Sequence, residues 1–167
     1  KKRGYTSIDE IFYDLPGFDI SFANGAQYIS IYQRGYRTPF TQRILFMING
    51  IVDNHLYMQS ADFSRQYPLT NIKRVEIVYG PASAVYGPNA FQGVVNIITK
   101  DGKDQNKPVE GKVSFQVGQN NTYSIDGSAN IRNGDFYASA SGRAFRSDEP
   151  DLSKRGGFNS NYWIGNT

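Results

Sequence analysis

The sequence predicts an α+β fold, a small mixed sheet with short helices over residues 1–100, followed from residue 110 by antiparallel strands of a different character. Three observations carry this. Capping and Pro-Gly signals sit between short apolar runs in the first hundred residues, a polar segment from Asp101 to Pro108 interrupts that pattern, and strict two-residue alternation follows it.

Composition narrows the class. With 39% hydrophobic and 14% aromatic residues in 167, the chain is too apolar to be disordered. Eighteen basic residues against fifteen acidic ones, distributed without a basic stripe, give no footprint for nucleic acid. The absence of cysteine removes disulfides, thiolate nucleophiles and thiolate metal sites, and a single histidine, His55, leaves no His-rich metal site. No metal or cofactor is therefore expected. Lys1-Lys2-Arg3 opens no leader, and the chain stops at Trp163 to Thr167 in what reads as a strand start, so a fragment of a longer protein is expected.

Each element has a local reason. Ser7-Ile8-Asp9-Glu10 reads as a capping box ahead of a helix over about 8–14, with Ile8, Ile11, Phe12 and Leu15 on one face. Pro16-Gly17 stops it, and residues 18–27 read as a polar connection. Tyr28 to Tyr32 is a strand, turned by Arg34-Gly35. Ile44 to Ile48 is an unbroken apolar run, hence a strand buried on both faces, and Asn49-Gly50 suits a type I′ hairpin turn into Ile51-Val52. Residues 54–69 read as a loop with one helical turn before Pro68. Arg74 to Tyr79 is a strand, Pro81 opens a short helical turn ending at Gly87, and Gly93 to Thr99 is a strand. Glu76 and Arg74, two residues apart on one strand face, pair with each other or with a facing surface.

Residues 101–109 form a linker. Beyond it, Val113, Phe115 and Val117 alternate with Ser114 and Gln116, and Tyr123, Ile125, Gly127, Ala129 and Ile131 with Ser124, Asp126, Ser128 and Asn130. Phe136, Ala138, Ala140, Gly142 and Ala144 do so with Tyr137, Ser139, Ser141, Arg143 and Phe145. Asn133-Gly134 closes the second and third strands. A short turn at one end, a long polar loop after 147 at the other and strands of about ten residues suit the start of a transmembrane β-barrel. A soluble antiparallel meander alternates in the same way, and what separates them is whether the apolar face is exposed or buried.

The run from Ile72 to Lys100, with Gly80-Pro81, Tyr86-Gly87, Ala90 to Gly93 and Val95-Asn-Ile-Ile-Thr99, resembles the end of the plug domain of TonB-dependent outer-membrane receptors. Leu15-Pro16-Gly17, Ile29-Ser-Ile with Arg34-Gly35, and Ile44 to Gly50 resemble earlier pieces of that domain in the same order. The resemblance covers about residues 6–100. It implies a plug over residues 1–100 and barrel strands over 110–167, in the outer membrane of a Gram-negative bacterium. It implies further a ligand-gated importer of a scarce nutrient chelate (ferric siderophore, haem or cobalamin), coupled to the inner-membrane protein TonB through a segment upstream of Lys1, with outer-membrane lipid around the barrel.

By the same resemblance, ligand meets the plug at the apices 21–27, 36–42 and 53–60, where Asn24, Arg37, Phe40, Gln42, His55 and Tyr57 can donate, stack or pair. Arg34, Arg74 and Glu76 are the expected plug–barrel contacts, and Gly17, Gly35, Gly50, Gly80, Pro81, Gly87 and Gly93 the structural turns. Asn49 stands where the family often has aspartate, and Tyr79 where it often has arginine. Two other classes compete with this one. A hydrolase would need Ser83, or Asp9 with Asp14, but Ser83 lacks a Gly-x-Ser-x-Gly elbow, so no enzyme is expected. A soluble secreted β-rich binding module is the alternative.

Overall fold

The structure is a computed structural model and describes residues 3–21, 29–38, 42–63, 67–105 and 107–148. In chain order the elements are α1 (Asp9–Tyr13), β1 (Phe18–Ser21), β2 (Ile29–Gln33), β3 (Ile44–Ile48), β4 (Ile51–Val52), β5 (Asp62–Phe63) and β6 (Ile72–Tyr79). Then follow α2 (Ser83–Tyr86), β7 (Gly93–Thr99), β8 (Val109–Gly118), β9 (Thr122–Asn133) and β10 (Phe136–Arg146), with single 3₁₀ turns at Leu69–Asn71 and Gly102–Asp104. They form three sheets, ordered β1-β2-β5, β4-β3-β7-β6 and β10-β9-β8.

The four-stranded sheet is mixed because β3 runs parallel to β7 while β4 and β6 run antiparallel to their neighbours. Parallel pairing needs both faces covered, and the residues comply. Ile44, Phe46, Val95 and Ile97 pack with Ile8 at the start of α1 and Phe12 within it, Ile29 and Ile31 of β2, and Ala61. Leu45, Met47 and Val94 point the other way, onto Ala82 and Ala90. Full burial of one such side chain contributes about 1.5–3 kcal/mol, so this two-sided core holds the domain together.

The β3–β4 connection is the type I′ turn that its sequence implies, with φ of +52° at Asn49 and +80° at Gly50. It is also fastened to β7. Asn49 donates through Nδ2 to Thr99 Oγ1 at 2.8 Å, its Oδ1 accepts from Thr99 N at 2.9 Å, and Gly50 N donates to Asn96 Oδ1 at 3.0 Å. An aspartate at 49 would lack that Nδ2 donor, which gives the asparagine a local reason.

Six expectations are corrected. The capping box is displaced, since Ser7 is buried and it is Thr6 whose N–H and hydroxyl donate to the Glu10 carboxylate at 2.6 and 2.5 Å. The stretch after Gly17 is not all connection, for β1 pairs with β2 from Phe18↔Gln33 to Ser21↔Ser30. Four residues are too few to register as alternation. The segment 54–69 holds more than a loop with one turn, for beside the turn at 55–59, closed by Gln59 N on His55 O at 2.7 Å, a 3₁₀ turn follows Pro68, with Asn71 N bonded to Pro68 O at 3.1 Å, and β5 adds a pairing with β2 that the mixed composition hides. Pro81 lies before Ala82, the residue ahead of α2, so it is not the first helical residue. The hairpin between β9 and β10 turns on Gly134-Asp135, because Asn133 pairs with Phe136 and Gly134 takes φ of +61°. The linker is shorter than expected, with β8 starting at Val109.

The N-terminal segment is pinned by charge. Asp14 accepts from the Tyr5 hydroxyl and lies 2.7 Å from Arg3 Nη1. These hydrogen bonds, Tyr5's first and Arg3's second, hold the Asp14 carboxyl below its ordinary pKa. A carboxyl depressed in this way stabilises the attached segment above its unfolded pKa, and that contribution is lost as pH falls through the folded one. Exchange of backbone amides in residues 3–6 should therefore quicken on acidification below the usual carboxylate range, and Asp14→Asn should remove that step.

At Gly50 an added Cβ meets nothing within 4 Å, so a substitution there acts through φ alone. Gly50→Val should cost about 1–3 kcal/mol in chemical denaturation. A loss far smaller would be inconsistent with the turn. At Gly93 the Cβ would lie 2.6 Å from Val78 O and 2.7 Å from Gln33 Oε1, so Gly93→Ala should destabilise through a clash with backbone.

Candidate functional site

Two surfaces matter: the seam between the first domain and the three long strands, and the loop cluster at one end of the mixed sheet. In β8–β10 the alternation is inverted relative to a soluble sheet. Ser124, Asp126, Ser128 and Asn130 are buried, whereas Val113, Phe115 and Val117 are 73%, 66% and 64% exposed. The register aligns the faces across strands, placing Val117, Tyr123 and Arg146 in one row and Phe115, Ile125 and Ala144 in the next. The polar faces lie on the first domain, as a barrel's lumen-facing residues lie on what fills the lumen.

Polar contacts hold this seam. Ser128 donates to Thr70 O at 3.4 Å, Ser139 to Lys100 O at 3.2 Å, and Arg132 Nη1 to Lys103 O at 2.8 Å. At its centre Arg143 Nε lies 3.3 Å from Asp126 Oδ1, with side chains only 3% and 2% exposed. The Arg143 guanidinium also donates to Thr6 O at 3.1 Å, Tyr67 O at 3.3 Å and Ser124 Oγ at 3.3 Å. One buried cation on the wall thus grips two distant segments of the domain. Sequence reasoning saw Arg143 only as one polar position in an alternating strand. An arginine facing a row of serines, across from Asp126, was the available signal.

The loop cluster is built by the strand directions. Because β3 and β7 run parallel, their N-terminal ends coincide, and Gln92 N bonds Arg43 O while Gly80 N bonds Gln92 O. Asn54, buried, fastens the loop that follows β4 to the same end, accepting from Phe46 N at 2.8 Å and donating to Ile44 O at 3.1 Å and Gln59 O at 3.0 Å. Asn89 Nδ2 reaches Gln59 Oε1 at 3.0 Å. The Arg43 guanidinium lies between the rings of Tyr36 and Phe91, 4.4 and 5.3 Å from their centroids. Leu56 and Tyr57 project from this platform, 93% and 88% exposed.

Of the residues expected to meet ligand, Gln42, His55 and Tyr57 are in this cluster. Gln42 donates to Met58 O at 2.9 Å, and His55 Nδ1 accepts from Met58 N at 3.1 Å, which makes it the cap of the 55–59 turn. Arg37 pairs with Asp19. Asn24 and Phe40 lie outside the described residues. Ser21, where the first expected apex begins, is at the end of the β1–β2 ladder away from Gln33, whereas Gln33 abuts Gly93 at the loop end. Arg34 lies against Gly80. Arg74 Nε is 2.7 Å from Glu76 Oε1, so these two pair with each other, and Asn96 Nδ2 donates to Glu76 at 3.3 Å. Gly17, Gly35, Gly80 and Gly87 take positive φ, Pro81 follows Gly80, and Gly93 is instead a point of close approach. Arg43 and Phe91 join Tyr36 in the platform without any local pattern that marks them, because the β3–β7 pairing brings the starts of those two strands together.

The family model described as TonB-dependent Receptor Plug Domain matches residues 1–94. The chain is 41% identical over 93 residues to the vitamin B12 transporter BtuB of Photobacterium profundum, which covers 56% of this chain and 15% of the transporter. It therefore spans a small part of the curated relative's length. Among solved structures it is similar to the FrpB iron transporter of Neisseria meningitidis (F3-3 variant), with TM-score 0.66 and 19% identity, over 86% of this chain and 21% of that one. It is similar also to the ferric-catecholate import receptor Fiu of E. coli K12, with TM-score 0.61 and 23% identity, over 86% of this chain and 19% of that one. Both structural likenesses establish fold.

Removing Arg143 would leave Asp126 buried without its counter-charge, a change that costs about 3–5 kcal/mol for such pairs, whereas replacing both partners with apolar residues is far milder. In the receptor that carries this chain, Arg143→Met should lower the unfolding midpoint markedly and Arg143→Met with Asp126→Leu should recover most of it. Additive losses in that cycle would show that the pair is not coupled.

Proposed function

The chain belongs to the TonB-dependent receptor plug-domain family, and from that premise we propose that it is the plug and first wall strands of a ligand-gated outer-membrane importer. The chain is an outer-membrane component of a Gram-negative bacterium, with its plug inside the barrel lumen. The proposed division is plug over residues 1–100, connection over 101–108 and wall from 109, where β8 begins. The cargo is a scarce nutrient chelate, and cobalamin is the first to test because the 41% identical relative is a vitamin B12 transporter. Ferric siderophore and haem follow.

The observation that carries this reading is the inverted alternation of β8–β10, apolar outward and polar toward the plug. A soluble binding module would bury the row Val113, Phe115, Val117; here that row is exposed, as a lipid-facing surface requires. The three strands among the described residues do not by themselves close a wall, since membrane barrels need about eight or more, and in the proposed importer further strands complete the lumen. Within it, the plug obstructs passage until ligand engages the loop cluster and TonB draws on a segment upstream of Lys1. Tyr57, Gln42 and the Tyr36–Arg43–Phe91 platform offer ring faces and donors to a chelate, with Arg37, His55, Asn24 and Phe40 the further candidates. Arg143 and its contacts to Thr6 and Tyr67 hold the plug to the wall, with Arg34, Arg74 and Glu76 proposed to face strands of the wall beyond this chain.

In this topology the Gln119-Asn120-Asn121 loop is external and the Gly134-Asp135 turn periplasmic. With cysteine at Asn120 or Asp135 of the receptor on intact cells, an impermeant thiol reagent should label the first and spare the second; the reverse would overturn the orientation. Triple alanine substitution at Arg37, Gln42 and Tyr57 should weaken ligand binding at least tenfold, the equivalent of about 1.4 kcal/mol. Unchanged affinity across cobalamin, ferric siderophore and haem would overturn the loop assignment.

A further inference from the structure

β2 carries one residue that its own pattern does not ask for. Ile29 and Ile31 lie on the core face of the strand, and Gln33, two residues further on, continues that row where an apolar side chain would complete it. It is 1% exposed, and neither its Nε2 nor its Oε1 has a hydrogen-bond partner among the described residues. A buried amide with both atoms unpaired is destabilising, whereas an apolar side chain of the same shape is not. Its place is specific. A Cβ on Gly93 would lie 2.7 Å from Gln33 Oε1 and 2.6 Å from Val78 O, so the amide sits against the backbone at the first residue of β7. Gly93 is also where two ladders end, paired with Ile44 of β3 and with Tyr79 of β6.

We propose that Gln33 is a positioning residue for movement of the 80–92 loop: its unpaired amide weakens the seat of that loop, so that the plug opens first at Gly93. The loop is built to move as one body. It closes on itself through Gly80 N on Gln92 O at 2.9 Å and Ala82 N on Ala90 O at 2.8 Å, and Gln92 N on Arg43 O at 2.8 Å fastens it to the start of β3. Parting there gives up the last rung of each ladder and that one fastening, and it returns solvent to the Gln33 amide. The opposite end of β7 is held differently. Thr99 N donates to Asn49 Oδ1 at 2.9 Å and Asn49 Nδ2 to Thr99 Oγ1 at 2.8 Å, so both amide atoms there are satisfied. A ladder stitched at one end and starved at the other frays from the starved end. Phe91 belongs to the loop and faces Arg43 in the platform, so displacement of 80–92 takes one wall of the cargo site with it. In the importer reading, on which the role in passage rests, this is the part of the plug that yields to cargo.

The test uses the whole receptor in detergent, first without cargo. Hydrogen exchange read by mass spectrometry should be fast at residues 78–80 and 92–94, and Gln33→Met, which keeps the shape and removes the unpaired amide, should slow it about tenfold. Gln33→Leu should act in the same direction, so that misfolding of one variant leaves the other to decide. Exchange over 95–99 should stay as it is in both. Unchanged or faster exchange at 78–80 and 92–94 would show that the amide has a partner, a buried water included, and equal slowing over 95–99 would show a general effect; either overturns the proposal. Uptake by cells is the second readout, with cyanocobalamin, a ferric catecholate and haemin as probes. Gln33→Met should lower the maximal rate by a similar factor and leave the half-saturating concentration unchanged, a split that a purely structural role does not give. An unchanged maximal rate overturns the role in passage. Uptake of none of the probes by wild type would instead overturn the importer reading, and exchange would still decide where the plug opens.

Discussion

Everything about the long strands follows from a single constraint: side chains on a β-strand alternate, so whatever one face is given to fixes what the other must meet. Here Val113, Phe115, Ile125 and their neighbours face outward, and Ser124, Asp126, Ser128, Asn130 and Arg143 are committed to the seam. A one-residue slip of β9 would bring isoleucines onto the plug and aspartate onto the exposed face. The seam is therefore polar by necessity, and it is held by hydrogen bonds and one buried ion pair rather than by apolar burial. Such a contact is specific in geometry and modest in net stability, because much of the attraction offsets desolvation.

The plug itself depends on the parallel β3–β7 pairing. That ladder obliges the chain to leave the Asn49–Gly50 end of the sheet and return to the Ile44 end before β7 begins. Residues 54–60 and 80–92 are gathered there as a result, and Asn54, Asn89 and Gln59 tie them together. The same crossover covers one face of the sheet with the segment around Ala82 and Ala90, while α1 and β2, which precede β3, cover the other. One half of the core and the loop cluster are thus two consequences of one connection. Parallel pairing also explains why β3 reads as an unbroken apolar run, for neither of its faces meets water.

Arg143 ties the two halves together. Its contacts reach Thr6, at the start of the plug, and Tyr67, just ahead of β6, so the N-terminal segment is fastened to the wall independently of the core. Inside that segment the Tyr5, Arg3 and Asp14 cluster and the Thr6–Glu10 bonds are exposed and short in sequence range. Exposed bonds of this kind open at low cost, and what distinguishes the bond to Thr6 is that its donor, Arg143, is itself held in a buried ion pair with Asp126.

Turn chemistry and periodicity were legible from the residues alone. Asn49-Gly50 specifies its own turn, the run from Gly93 to Thr99 is a strand with the bounds read from it, and the alternation of 109–146 states that one face is apolar. Each is decided within a few residues by φ preference or by a period of two. What alternation alone left open was the direction of the apolar face, since a soluble meander and a membrane wall share it; only packing against the plug decided that. Short elements such as β1 and β5 carry too few residues to show a period and exist because β2 offers an edge to pair with. The Arg143 contact with Thr6 joins residues 137 apart, and the platform of Tyr36, Arg43 and Phe91 is assembled by a crossover. No local rule reaches that far, because such contacts form only after loop closure has brought distant segments together, and their stability belongs to the tertiary arrangement.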